Sequence, residues 1–106
     1  MAMDFEKLLR QAQQMQEQMS KAQEELAGET VEASAGGGMV TVKATGALEI
    51  TEIKISSQAI EANDPELLED TVLAAVNEAL RSARSLAEAK LGGAVGDLGS
   101  LGLPGL

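Results

Sequence analysis

Apolar residues recur along the first quarter of the chain at alternating intervals of three and four. Phe5, Leu8, Ala12, Met15, Met19, Ala22 and Leu26 form one seam, and no Gly or Pro interrupts the run from Asp4 to Ala27. Gln, Glu, Ala, Met and Leu, all good helix formers, dominate the segment. The spacing predicts a long helix with Gly28 as its stop. The seam suits a coiled coil and an amphipathic helix lying on a sheet equally well. Ala and Met at its core positions specify a close, adaptable contact rather than a strong zipper.

After Gly28 the period changes to two. Val31, Ala33 and Ala35 alternate with Glu32 and Ser34; Gly36, Gly37 and Gly38 make a turn; Val40, Val42 and Ala44 then alternate with Thr41, Lys43 and Thr45. Gly46 marks a second turn. In the third strand Leu48 and Ile50 share one parity, whereas Ile53 and Ile55 share the other. That slip is expected to be a bulge near Thr51 and Glu52. The prediction is a three-stranded antiparallel meander.

Asn63-Asp64-Pro65-Glu66 reads as a helix start: an Asx cap, Pro at the first helical position and acids in the first turn. The second long helix is expected to run to about Leu91. Leu73, Val76, Leu80, Ala83, Ala87 and Leu91 form its main stripe, flanked by Leu68, Val72, Ala75 and Ala79. The expected fold is α+β, an α-β-β-β-α domain over residues 1–91. Residues 92–106 are expected to be a flexible Gly/Leu-rich tail. Glycines at 93, 96, 99, 102 and 105 recur every third residue, but with Pro104 alone among them the run is too short and too imino-poor for a collagen helix. Leu98, Leu101, Leu103 and Leu106 remain as weak docking residues.

Helices of these lengths reach roughly 36 and 40 Å at 1.5 Å per residue, against ~23 Å for a seven-residue strand. They must overhang the sheet, which also has two open edges. A symmetric homodimer would cover both, with Leu8, Met15, Met19, Leu80 and Ala83 as candidate dimer or helix-packing residues.

Composition removes whole classes of function. The chain has no His, no Cys, no Trp and no Tyr, and a single Phe. The usual zinc and haem ligands, a thiol nucleophile and the commonest general base are missing, so no catalytic site, no metal and no cofactor are expected. Ser82, Ser85 and Lys90 at helical spacing read as a solvated face rather than a Ser-Lys dyad. Gly36 to Gly38 lack the Lys-Ser/Thr and following helix of a phosphate loop. One aromatic residue cannot build a stacking platform for single-stranded bases. No apolar run approaches the ~18 residues of a membrane span, and the start MAMDFEKLLR lacks a signal-peptide apolar core. A cytoplasmic location without membrane association is expected.

Seventeen acids against eight bases give a net charge of -9. The acids cluster, with Glu17, Glu24, Glu25, Glu29 and Glu32 around the end of the first helix and Glu61, Asp64, Glu66, Glu69 and Asp70 at the start of the second. Both stretches are expected to abut the sheet, leaving Lys7, Arg10, Arg81, Arg84 and Lys90 at free helix tips. Screening over about 8 Å would shield tips some 30 Å away from the acidic base. The same charges also fit ordinary pairing, Glu6 with Arg10 and Glu17 with Lys21, and a complement to the helix dipole.

The stretch LLRQAQQMQEQMSKAQEELAGETVEASAGGGMVTVKATGALEITEIKIS, followed by Asp64 to Asp70, the segment AAVNEAL (Ala74 to Leu80) and a Gly/Leu/Pro tail, closely resembles the bacterial YbaB/EbfC family of nucleoid-associated proteins. The resemblance implies a helix, three strands and a helix, a tweezers-like homodimer, a cytoplasmic or nucleoid location, and binding to double-stranded DNA without strict sequence preference. The start MAMDFEK and the acidic balance depart from the Gly/Lys-rich start and more basic arms common in that family. On this reading Lys7, Arg10, Arg81, Arg84 and Lys90 would meet duplex phosphates. The alternative is a protein-protein adaptor acting beside DNA replication or recombination factors, using the acidic surface and the Met/Ala seam.

Overall fold

The computed structural model describes residues 4–99, with side chains described through residue 93. Its elements are α1 (Asp4–Gly28), β1 (Thr30–Ala35), β2 (Val40–Thr45), β3 (Ile50–Ile55), α2 (Ser57–Glu61) and α3 (Pro65–Gly99). The molecule measures 74 by 22 by 16 Å, because both long helices extend from the sheet.

The sheet is an antiparallel meander in the order β1-β2-β3. Lys43 faces Glu52 but Ala44 faces Ile50, so Thr51 is the extra residue of a bulge, and its hydroxyl donates to the Lys43 carbonyl at 3.4 Å. This bulge resolves the parity slip. Ile50, Ile53 and Ile55 come to lie across from Ala44, Val42 and Val40, all on one side of the sheet.

On that side α3 lays Ala75, Ala79 and Ala83, all fully buried, against Ala33, Val40, Val42 and Ala44. Side chains this small let the helix axis approach the strands closely. Gly46 provides the matching close approach for α1: a Cβ there would lie 2.6 Å from Leu26 Cδ2 and 2.8 Å from the Leu26 carbonyl oxygen. The Asp64 carboxylate caps α3 by accepting from the Leu67 amide at 3.2 Å, as the Asx-Pro start requires.

Two features differ from the sequence expectation. The short α2, capped by the Ser56 hydroxyl on the Ala59 amide, has no counterpart in the sequence pattern, since five residues are too few to show a period. And α3 continues eight residues past Leu91, through Gly92 and Gly93, to Gly99. Glycine weakens a helix by about 1 kcal/mol per residue without forbidding it, and no proline interrupts the segment. Residues 100–106, with Leu101, Leu103, Pro104 and Leu106, and the Leu98 side chain lie outside the described residues.

Candidate nucleic-acid interface

The chain's cations are distributed along its long axis, and their settings differ. Lys7 and Arg10 are exposed on the outer half of α1, where neither joins an ion pair among the described residues. Arg81 and Arg84 are exposed on α3 but not at a tip. Ala79 and Ala83, on either side of Arg81, pack on the sheet, so both arginines project from the outward face of the helix above the body of the fold. The free end of α3 lies fifteen residues beyond Arg84, at Gly99. The Arg81 guanidinium is also engaged with Glu78 at 3.0 Å, whereas Arg84 joins no ion pair among the described residues.

Lys90 is the least available of the candidates. Its ammonium lies 2.8 Å from Glu25 Oε2 and 2.8 Å from Glu29 Oε1, and the side chain is only 26% exposed. The hydrogen bond from Lys90, then its charge, holds the Glu25 carboxyl below its ordinary range. The bonds to Glu25 and Glu29 raise the lysine in turn.

The acids bracket the sheet rather than gather at one base. Glu24, Glu25 and Glu29 lie at the end where Leu26 meets Gly46. Glu66, Glu69 and Asp70 lie at the opposite end, where Thr71 stands over Gly36. On the sheet face turned away from α3, Glu32, Lys43 and Glu52 lie side by side in register, with Lys43 paired to Glu52 at 3.4 Å.

Among the packing candidates, Ala83 is buried within its own subunit and Leu80 and Met19 are half-buried, while Leu8 and Met15 are exposed. The α1 seam is therefore covered only at its inner end, by burial of Ala22 and Leu26. The sequence reading missed a second uncovered surface. Because α3 sits over β1 and β2, the inner side of β3 stays open, and Ile55, Leu68, Val72, Leu73 and Val76 line an apolar groove beside the exposed Ile53. The signal was present in two isoleucines on an edge strand that a single helix is too narrow to cover. Among the described residues no group of three His, Cys, Asp or Glu side chains could hold a metal ion, and no helix is long and apolar enough to cross a membrane.

The model of the YbaB/EbfC DNA-binding family matches residues 1–98. Over 99 residues the chain is 52% identical to a nucleoid-associated protein of Acetivibrio thermocellus, covering 93% of this chain and 86% of that protein. A nucleoid-associated protein of Chloroflexus aurantiacus is 46% identical over 99 residues, covering 93% and 99% respectively. Among solved structures, an uncharacterized protein from Helicobacter pylori shares the fold with a TM-score of 0.70 and 25% identity, over 78% of this chain and 87% of that one.

Proposed function

The chain belongs to the YbaB/EbfC DNA-binding family, and on that premise we propose that it acts as a non-enzymatic, nucleoid-associated homodimer that binds double-stranded DNA with little or no sequence preference. Family membership supports the DNA. The open flank formed by Ile53, Ile55 and Leu73 supports the dimer, since an apolar strip of this kind is stable in water when a second copy covers it. Of the candidate cations, Lys7, Arg10 and Arg84 are exposed and join no ion pair among the described residues, with Arg81 available once it leaves Glu78. Phosphate contacts carry no base code, so any preference would come from DNA shape or from the spacing of the arms. The site of action on this reading is the nucleoid, within the cytoplasm.

A gel-shift titration of the wild-type protein on duplex DNA at several salt concentrations tests this reading. Neutralising about four to six phosphates per dimer gives a slope of log K against log salt of roughly -4 to -5. Absence of duplex binding even at low salt would favour the adaptor reading, in which the acids at both ends of the sheet and the exposed α1 seam dock a replication or recombination protein.

A further inference from the structure

We propose that Lys90 is a positioning residue: it locks α1 at a set angle to α3 and so aims the outer cations of α1, without touching phosphate itself. The inference deepens the DNA-binding reading above and rests on it for its functional half.

The clasp joins residues 61 positions apart in sequence. Glu25 and Glu29 stand four residues apart at the C-terminal end of α1, where two like charges repel each other and the helix dipole is already negative. That last turn contains no basic residue of its own. Lys90, reaching across from α3, supplies the missing positive charge to both carboxylates at once. Its removal leaves the two acids with only the weaker influence of Lys21 on Glu25.

The joint is confined to the inner end of the helix. Ala22 and Leu26 are buried and Met19 is half-buried, the Gly46 amide donates to the Glu29 carbonyl at 3.0 Å, and this ion triad stands beside them, so a helix of 25 residues is held over its last turns alone. Lys7 lies twenty-one residues from Gly28, about 32 Å along the helix at 1.5 Å per residue. A tilt of about 10° at the joint would move it by ~5 Å, more than the 3.4 Å rise between successive phosphates on one strand. Arms that wander by this amount cannot present Lys7 and Arg10 in one register.

The test separates the angle from the affinity. The chain has no native cysteine, so spin labels at Gln14→Cys on α1 and Ser85→Cys on α3, in labelled chain diluted into excess unlabelled chain, report the angle by double electron-electron resonance. The labelled wild type and Lys90→Arg should give one narrow distance, and Lys90→Met a broad one. Duplex affinity at low salt should fall about threefold to tenfold in Lys90→Met, the scale expected for a pair of partly exposed ion contacts. The exchange Glu25→Lys with Lys90→Glu keeps the net charge and rebuilds a lysine between two carboxylates. It should restore both the narrow distance and the affinity. A narrow distance in Lys90→Met would overturn the proposal. So would an exchange variant that regains the narrow distance but still binds DNA weakly, because Lys90 would then be a direct phosphate contact. If the wild type binds no duplex, the DNA-binding reading fails, and the distance distributions alone decide whether the clasp sets the angle.

Discussion

Ile53 lies directly across from Val42 on the same side of the sheet, yet Val42 is wholly buried and Ile53 is 45% exposed. The difference is the width of one helix. α3 covers β1 and β2, and its own flank, with Leu73 59% exposed, faces outward beside β3. In a subunit standing alone this would be apolar surface in water.

Ile53→Asp together with Leu73→Asp introduces charges that an interface could bury only at a cost of several kcal/mol, while the isolated subunit, in which both positions are already exposed, has little to lose. Sedimentation equilibrium should give twice the 11.0 kDa chain mass for the wild type and the chain mass for the variant, with far-UV helicity unchanged. A wild-type monomer would refute the dimer.

The exposed cations can be ranked. Lys7→Glu with Arg10→Glu should remove up to four phosphate contacts per dimer, making the salt slope less steep by about 3 to 4. Arg84→Gln should weaken binding more than Arg81→Gln, because Arg81 is already satisfied by Glu78 at 3.0 Å. Lys43→Glu should matter less than either, since Lys43 stands between Glu32 and Glu52 on the far face of the sheet. If Lys43→Glu proves the most damaging change in gel shifts, the binding surface is the sheet.

These residues also mark what a sequence can and cannot convey. The bulge was legible because Ile50 and Ile53 stand at odd spacing in a strand of period two, and the Asp64 cap because Pro and acids follow it at fixed offsets. Such signals are local. That Arg81 and Arg84 stand over the sheet rather than at a tip depends on where along α3 the sheet ends, which Ala79 and Ala83 reveal only once their burial is known. The pairing of Lys90 with Glu25 and Glu29 is tertiary, and the charge pattern alone put that lysine among the phosphate ligands. The open flank of β3 required knowing which two strands the helix covers.

The clasp has a definite pH window. Lys90 holds Glu25 below its ordinary value of 4.5, so the contribution of the pair is present above that value and is lost as pH falls through the depressed one. Lys90 itself is raised above 10.5, so its contribution is present below that value and is lost as pH rises through the raised one. The difference in thermal midpoint between wild type and Lys90→Met should therefore be constant from about pH 5 to pH 10 and shrink on either side. Solvent access and salt keep it small. A difference that grows below pH 4 would show that Lys90 stabilises the fold through something other than these carboxylates.

Two glycines should respond oppositely to the same substitution. At Gly46 an added methyl would stand 2.6 Å from Leu26 Cδ2 and 2.8 Å from the Leu26 carbonyl oxygen. The side chain could swing aside, but the carbonyl belongs to the last turns of α1 and can yield only if the helix moves. Gly46→Ala should therefore cost about 1 to 3 kcal/mol as overpacking does, lowering the thermal midpoint by about 4 to 8 °C for each kcal/mol in a domain of this size. At Gly28 nothing lies within 4 Å of an added Cβ, and the residue is the last of α1. Gly28→Ala should gain up to about 1 kcal/mol from helix propensity. Thermal melts of the two variants decide the matter. Equal midpoints would mean that α1 is not seated on the β2–β3 turn through Leu26, and the close approach that anchors the arm would have to be abandoned.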